Sequence, residues 1–168
     1  MSLSMYQASI PVLCRGLENL AALLRKAAAH AEARKIAPAV LLDARLALDM
    51  FPLVRQVQIV SDTAKGCAAR LAGIAVPSFA DTESSFAELQ ERIARTLTFL
   101  QGITATQVDG SEERPIVLKA HEREIHFSGQ AYLLTFALPN FFFHLTTAYA
   151  ILRHHGVEVG KQDYLGPL

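Results

Sequence analysis

The residue types that could do chemistry gather in the most apolar part of the chain. Asn140 and His144 lie four apart within PNFFFHLTTAYAILRHHG. On a helix that spacing puts both side chains on one face, continued by Thr147 and Ile151, while Phe141, Leu145, Ala148 and Leu152 form a face about 100° away. The polar stripe therefore borders the core, where helical bundles build metal and ligand sites. A second stretch offers Gln58 and Asp62, again four apart. An Asp62 carboxylate beside the His144 imidazole would share a divalent ion or hold the ring in one tautomer. Equally, Asp62 and Lys65 are three apart and suit a solvent-exposed ion pair.

Three uses of His144 fit its type and place: a hydrogen-bonded core histidine, a contact to an organic ligand, or a metal ligand. One His with one Asn is an incomplete set, since zinc takes three or four Cys, His or carboxylate ligands. His121 and His126 complete it only if their segment folds over the mouth of the bundle; otherwise they are surface residues. His154 and His155 are placed to interact with the end of a helix dipole. No Ser-His-Asp order, GxSxG elbow, Walker loop, GxGxxG fingerprint or HExxH pair occurs in a fitting context, so enzymatic activity has no direct support in the residues.

The elements that must position these groups follow from periodicity. Over residues 4–34, Leu13, Leu17, Leu20 and Leu24 recur at helical spacing, with Ser4 and Gln7 as a capping box and Pro11 predicting a kink or a later start near Ser9. Pro38 opens the shorter AVLLDARLALDM. Residues 52–73 form the second long helix, with Pro52 at its first turn, Gly73 as its cap, and a stripe of Val54, Val57, Ser61, Ala64, Ala68 and Leu71. Gly66 within it predicts the close approach of a neighbouring element. IAVPSFADTESS is a loop. The third helix starts at Thr82 or Ser85, with Ser85 and Glu88 as a reciprocal box, apolar Phe86, Leu89, Ile93, Leu97 and Leu100, and Glu88, Glu91, Arg92 and Arg95 towards solvent.

Residues 103–127 read as two short strands or an extended loop, with Ile116, Leu118, Ile125 and Phe127 alternating about a turn near Ala120 and His121. Residues 132–138 are apolar, Pro139 restarts the chain, and the last helix runs from Asn140 to about His155, capped by Gly156. The tail VEVGKQDYLGPL has no helical pattern. The fold class is all-α: a helical bundle with a short hairpin or extended insertion before its last helix, forming one domain over residues 1–168.

Bulk properties narrow the function classes. The chain is 51% hydrophobic and 19% charged, with 9 Gly and 7 Pro among 168 residues, which suits one compact core. Lys plus Arg and Asp plus Glu number 16 each, so the charge excess expected of a nucleic-acid binder is missing. Cys14 and Cys67 belong to no CxxC or Cys/His spacing and read as small buried hydrophobes in a reduced, cytoplasmic protein. The first twenty residues lack the features of a secretory signal and read as part of the fold. Residues 127–152 carry no Lys, Arg, Asp or Glu and exceed the roughly 20 residues needed to span a bilayer. Ser128, Gly129, Gln130, Pro139, Asn140 and His144 interrupt them, so a bundle core rather than a membrane is expected.

SMYQASIPVLCRGLENL, DMFPLVRQVQIVSDTAKG, PNFFFHLTTAYAILRHHGV and the terminal GKQDYLG together resemble a bacterial family of unknown function within the DinB/YfiT-like superfamily of metalloenzymes. The resemblance covers nearly the whole chain. It implies a four-helix bundle with a long crossover, often dimeric, whose metal-binding members use one His from the second helix and an H-x-x-x-H pair on the last. Asn140 and His144 fall on that pair, and the second-helix His falls within residues 58–62, where this chain has none. The expectation is a degenerate metal-site cleft built from Gln58, Asp62, Asn140 and His144, without a resident metal, in a homodimeric small-ligand-binding or interaction protein. The alternative is a zinc- or nickel-dependent transferase or hydrolase using His144 and Asp62. A third reading makes oligomerisation through an apolar helix face the main use of the surface.

Overall fold

Apolar residues at every third or fourth position give each long segment one face that must leave water, and four such faces meet in a bundle. The computed structural model describes residues 3–120 and 123–167. The long helices are α1 (Met5–Ala33), α3 (Leu53–Ala72), α4 (Phe86–Gln101) and α7 (Leu138–His154); α2 (Pro38–Leu42), α5 (Ala105–Val108), α6 (Gly129–Ala131) and α8 (Lys161–Leu165) are short. Strands β1 (Ile116–Ala120) and β2 (Arg123–Phe127) pair antiparallel before the last helix, with Ile116 opposite Phe127 and Leu118 opposite Ile125. α3 packs between α4 and α7, and α1 closes the bundle against the same pair. Leu13, Leu17, Leu20, Val57, Ala64, Leu71, Leu89, Phe141, Leu145 and Leu152 are at most 1% exposed. No helix among the described residues is long and apolar enough to cross a membrane.

Several boundaries follow local chemistry, and some depart from expectation. The Ser4–Gln7 capping box is complete, and with its start so held α1 runs unbroken through Pro11. Ser85 accepts from the Glu88 N–H at 3.2 Å, but the Glu88 carboxylate turns back to the Ser84 N–H at 2.6 Å, so the reciprocal half of the box slips by one residue. The tail, expected to be irregular, forms α8. Asn19 and Arg15 of α1 donate to its carbonyls at Tyr164 and Leu165, and Lys26 pairs with Asp163 at 2.6 Å.

The largest departure precedes the last helix. Pro139 does not restart the chain, because residues 129–154 are continuously helical, with a π segment at Tyr132–Ala137. Pro139 has no N–H to give to Thr135, and its ring crowds that carbonyl. The turn widens, so that the Leu138 N–H reaches Leu133, five residues back.

Close approach also occurs elsewhere than expected. A Cβ on Gly66 would meet only the Arg70 guanidinium of its own helix, at 2.5 Å. A Cβ on Gly16 would lie 2.5 Å from the Phe141 ring, and one on Gly129 would land on the Ser111 carbonyl oxygen. The two tight contacts differ from the Gly66 one in having no flexible side-chain tip that can swing aside into solvent. Gly129→Ala is therefore expected to destabilise the chain by about 2 kcal/mol, while Gly66→Ala stays within about 1 kcal/mol of the parent. Urea unfolding midpoints check this, and equal losses at both positions would refute the assignment.

Candidate functional site

The stripe on α7 is met by α3 running antiparallel to it. His144 Nδ1 lies 2.6 Å from Gln56 Oε1, and Asn140 Nδ2 donates to Thr63 Oγ1 at 2.8 Å. Gln56 and Thr63 are two helical turns apart, so both point to one side of α3 and reach the two members of the α7 pair. Neither residue stands out in the sequence. The one available signal is their seven-residue interval, which places them on one face of α3. Burial, followed by the nearby Arg55 charge, holds the His144 pKa below its ordinary value, so the ring is neutral at pH 7.

Asp62 faces a different neighbour. Its Oδ1 receives Arg92 at 2.7 Å and Lys65 at 2.9 Å. Arg92, expected on the solvent face of α4, is 1% exposed and also binds Glu83 at 2.9 Å, Asp81 at 3.0 Å and the Ala80 carbonyl at 3.0 Å. Lys65 is buried too, so its pair with Asp62 is not the exposed one expected. The Phe79 ring lies against Lys65, Arg92 and Arg95, with the Arg95 guanidinium 4.2 Å from its centre. Gln58 belongs to the same cluster: it donates to Glu83 at 2.9 Å and accepts from Arg55 at 3.2 Å, while Arg55 also pairs with Asp81. Burial would raise the Glu83 carboxyl, but hydrogen bonds from Arg92 and Gln58 outweigh it and hold the pKa low. For Arg92, burial opposes the charge, and Glu83, Asp62 and Asp81 overcome it.

The four nominated residues thus separate. Asp62 and Asn140 come together with Thr63 in a cleft of about 270 Å³, walled by Tyr132 and Phe136 of the π segment. His144 lines another recess of about 230 Å³ with Gln56, Phe143 and Asp49–Phe51. Gln58 lines neither. His126 stands on the exposed side of the hairpin, 3.9 Å from Glu124, and His121 lies outside the described residues. His155 Nδ1 donates to the Ile151 carbonyl at 2.8 Å, capping the end of α7. Both thiols are held protonated by burial, with Cys67 pushed up to about 12. Among the described residues no group of three or more His, Cys, Asp or Glu side chains gathers where an ion could sit. A divalent ion does not find a ligand set among these donors: the stripe supplies one imidazole nitrogen, the neighbour of that imidazole on α7 is an amide, and the acid is tied to two cations and lines a different recess.

Removing the cation of this cluster should cost more than removing one acid. Arg92→Met leaves Asp62, Asp81 and Glu83 facing one another and is expected to lose about 3 kcal/mol. Asp81→Asn leaves Arg92 with Asp62 and Glu83, and Lys65 with Asp62, and loses about 1 kcal/mol. Denaturant melts of the two variants give the order, and an Asp81→Asn loss as large as that of Arg92→Met would contradict it.

The family model described as domain of unknown function (DUF1993) matches residues 5–165. A crystal structure of a DinB family member protein from Shewanella denitrificans is 42% identical, with a TM-score of 0.88, over 97% of this chain and 92% of that one. No curated protein matches the chain. With the helical bundle, its hairpin before the last helix and these two likenesses in agreement, the chain belongs to the DUF1993 family and is DinB-like.

Proposed function

We propose that the protein binds a small organic molecule, without a resident metal, in the cleft floored by Asp62, Thr63 and Asn140. The observation that carries this reading is that the π segment opens onto that cleft. Its Tyr132 and Phe136 rings stack with centres 5.9 Å apart and supply an aromatic wall, opposite Leu118 and Ile125 of the hairpin. π segments inside α-helices recur at functional sites. Apolar walls with a few convergent polar groups are the usual make-up of a ligand pocket.

The polar groups indicate the class of ligand. Asn140 spends one amide hydrogen on Thr63, keeping its carbonyl and a second hydrogen, and Thr63, which accepts there, keeps its own proton to donate. Arg70 also lines the cleft: its guanidinium sits 5.8 Å from the centre of the Tyr132 ring and donates to its hydroxyl at 3.2 Å, and a guanidinium has further N–H groups with which to receive an anion. This suits a compact aromatic carboxylate whose acid meets Arg70 and whose other end meets Asn140. The alternative, a metal-dependent transferase or hydrolase built on His144 and Asp62, draws no support from an arrangement that sends the two into separate recesses.

A titration of the ¹⁵N-labelled chain with 4-aminobenzoate tests the proposal. Amide shifts are expected to cluster at residues 62–63 and 132–140, with affinity falling about ten-fold in Arg70→Gln and in Asn140→Leu. Shifts scattered over the surface, or affinity indifferent to both substitutions, would reject the cleft.

A further inference from the structure

The recess beside His144 is separate from the Asn140 cleft, and a chain of hydrogen bonds presets it. The Phe51 carbonyl can only accept, so the Gln56 atom 3.0 Å from it is the amide nitrogen. The other atom of that amide, 2.6 Å from His144 Nδ1, is then the oxygen, which also only accepts. Nδ1 must therefore carry the proton. Because the ring is neutral, Nε2 carries a bare lone pair. The first link of this chain is itself restrained: Phe51 precedes Pro52, and a residue before proline is confined to extended backbone. No hydrogen bond among the described residues occupies Nε2.

The recess that His144 lines has mostly apolar walls. Met50, Phe51 and Phe143 line the recess, and the Phe143 ring stands edge-on to the imidazole with centres 5.0 Å apart. A volume of about 230 Å³ exceeds the roughly 150 Å³ in which an apolar protein cavity holds a benzene ring. Asp49 is on the lining and, among the described residues, no Lys or Arg is, so the recess offers a carboxylate no cation to meet. We propose that this recess is a second binding site, for a neutral phenol, whose ring packs on Phe51, Phe143 and Met50 and whose hydroxyl donates to His144 Nε2. The site does not depend on the Asn140 cleft, so either can fail without the other.

The test compares phenol with anisole, which keeps the ring and lacks the donor, by NMR titration of the full-length chain. Long-range ¹H–¹⁵N spectra of the free protein should show His144 protonated on Nδ1 and bare on Nε2. Phenol is expected to bind saturably and to shift Nε2, with anisole about ten-fold weaker for want of one hydrogen bond. His144→Phe should erase that difference while the Asn140 region stays unshifted. A proton on Nε2 in the free protein, or equal binding of phenol and anisole by the parent chain, overturns the proposal. Both of those readings use the unsubstituted protein and hold even if His144→Phe fails to fold.

Discussion

A guanidinium buried to the last few per cent of its surface organises one side of this bundle. Isolated in an apolar interior such a charge is very costly, so Arg92 requires acids around it and draws them from two elements: Asp62 from α3, and Asp81 and Glu83 from the connection between α3 and α4. That connection is thereby strapped down along with Phe79, which lies beneath three cationic side chains. The consequence reaches the candidate site. An acid that neutralises Arg92 and Lys65 is not at the disposal of the imidazole on α7.

α3 accordingly carries two polar faces with separate duties. At 100° per residue, Gln58, Asp62 and Lys65 lie some 180–240° round from Gln56, whereas Thr63 is nearly in line with it. The charged face serves α4 and its connection. The neutral face serves α7, where Gln56 meets His144 and Thr63 meets Asn140. Where the resemblance implies imidazoles around an ion, this chain has an amide, a hydroxyl and one neutral ring joined in two hydrogen-bonded pairs, Gln56 with His144 and Thr63 with Asn140, flanked by two small recesses of different character. One is lined by Arg70 and a pair of stacked rings, the other by two phenylalanines, a thioether and a bare nitrogen.

Much of this is legible in the sequence. The leucine stripe of α1, the Ser4 box, the Gly73 cap and the alternating hairpin each rest on interactions within a few residues, which local spacing reports directly. What escaped depended on partners far away in the chain. Periodicity tells which face of a helix is apolar but not which neighbour the polar remainder meets, so Gln58 and Asp62 were natural choices for α7, although Gln56 and Thr63 hold that place. Arg92 looked like a surface charge because its acids arrive from other elements. The π segment was hidden for a different reason: Pro139 reads equally as the start of a helix and as the cause of a widened turn.

The central claim is that the polar residues of α3 and α7 are committed to one another and to Arg92 rather than to an ion. Calorimetric titration of metal-free protein with Zn²⁺ and Ni²⁺, beside His144→Ala and Asp62→Asn, tests it most directly. The account predicts no stoichiometric uptake that depends on either residue. One equivalent bound tightly by the parent chain and lost in both variants would contradict it.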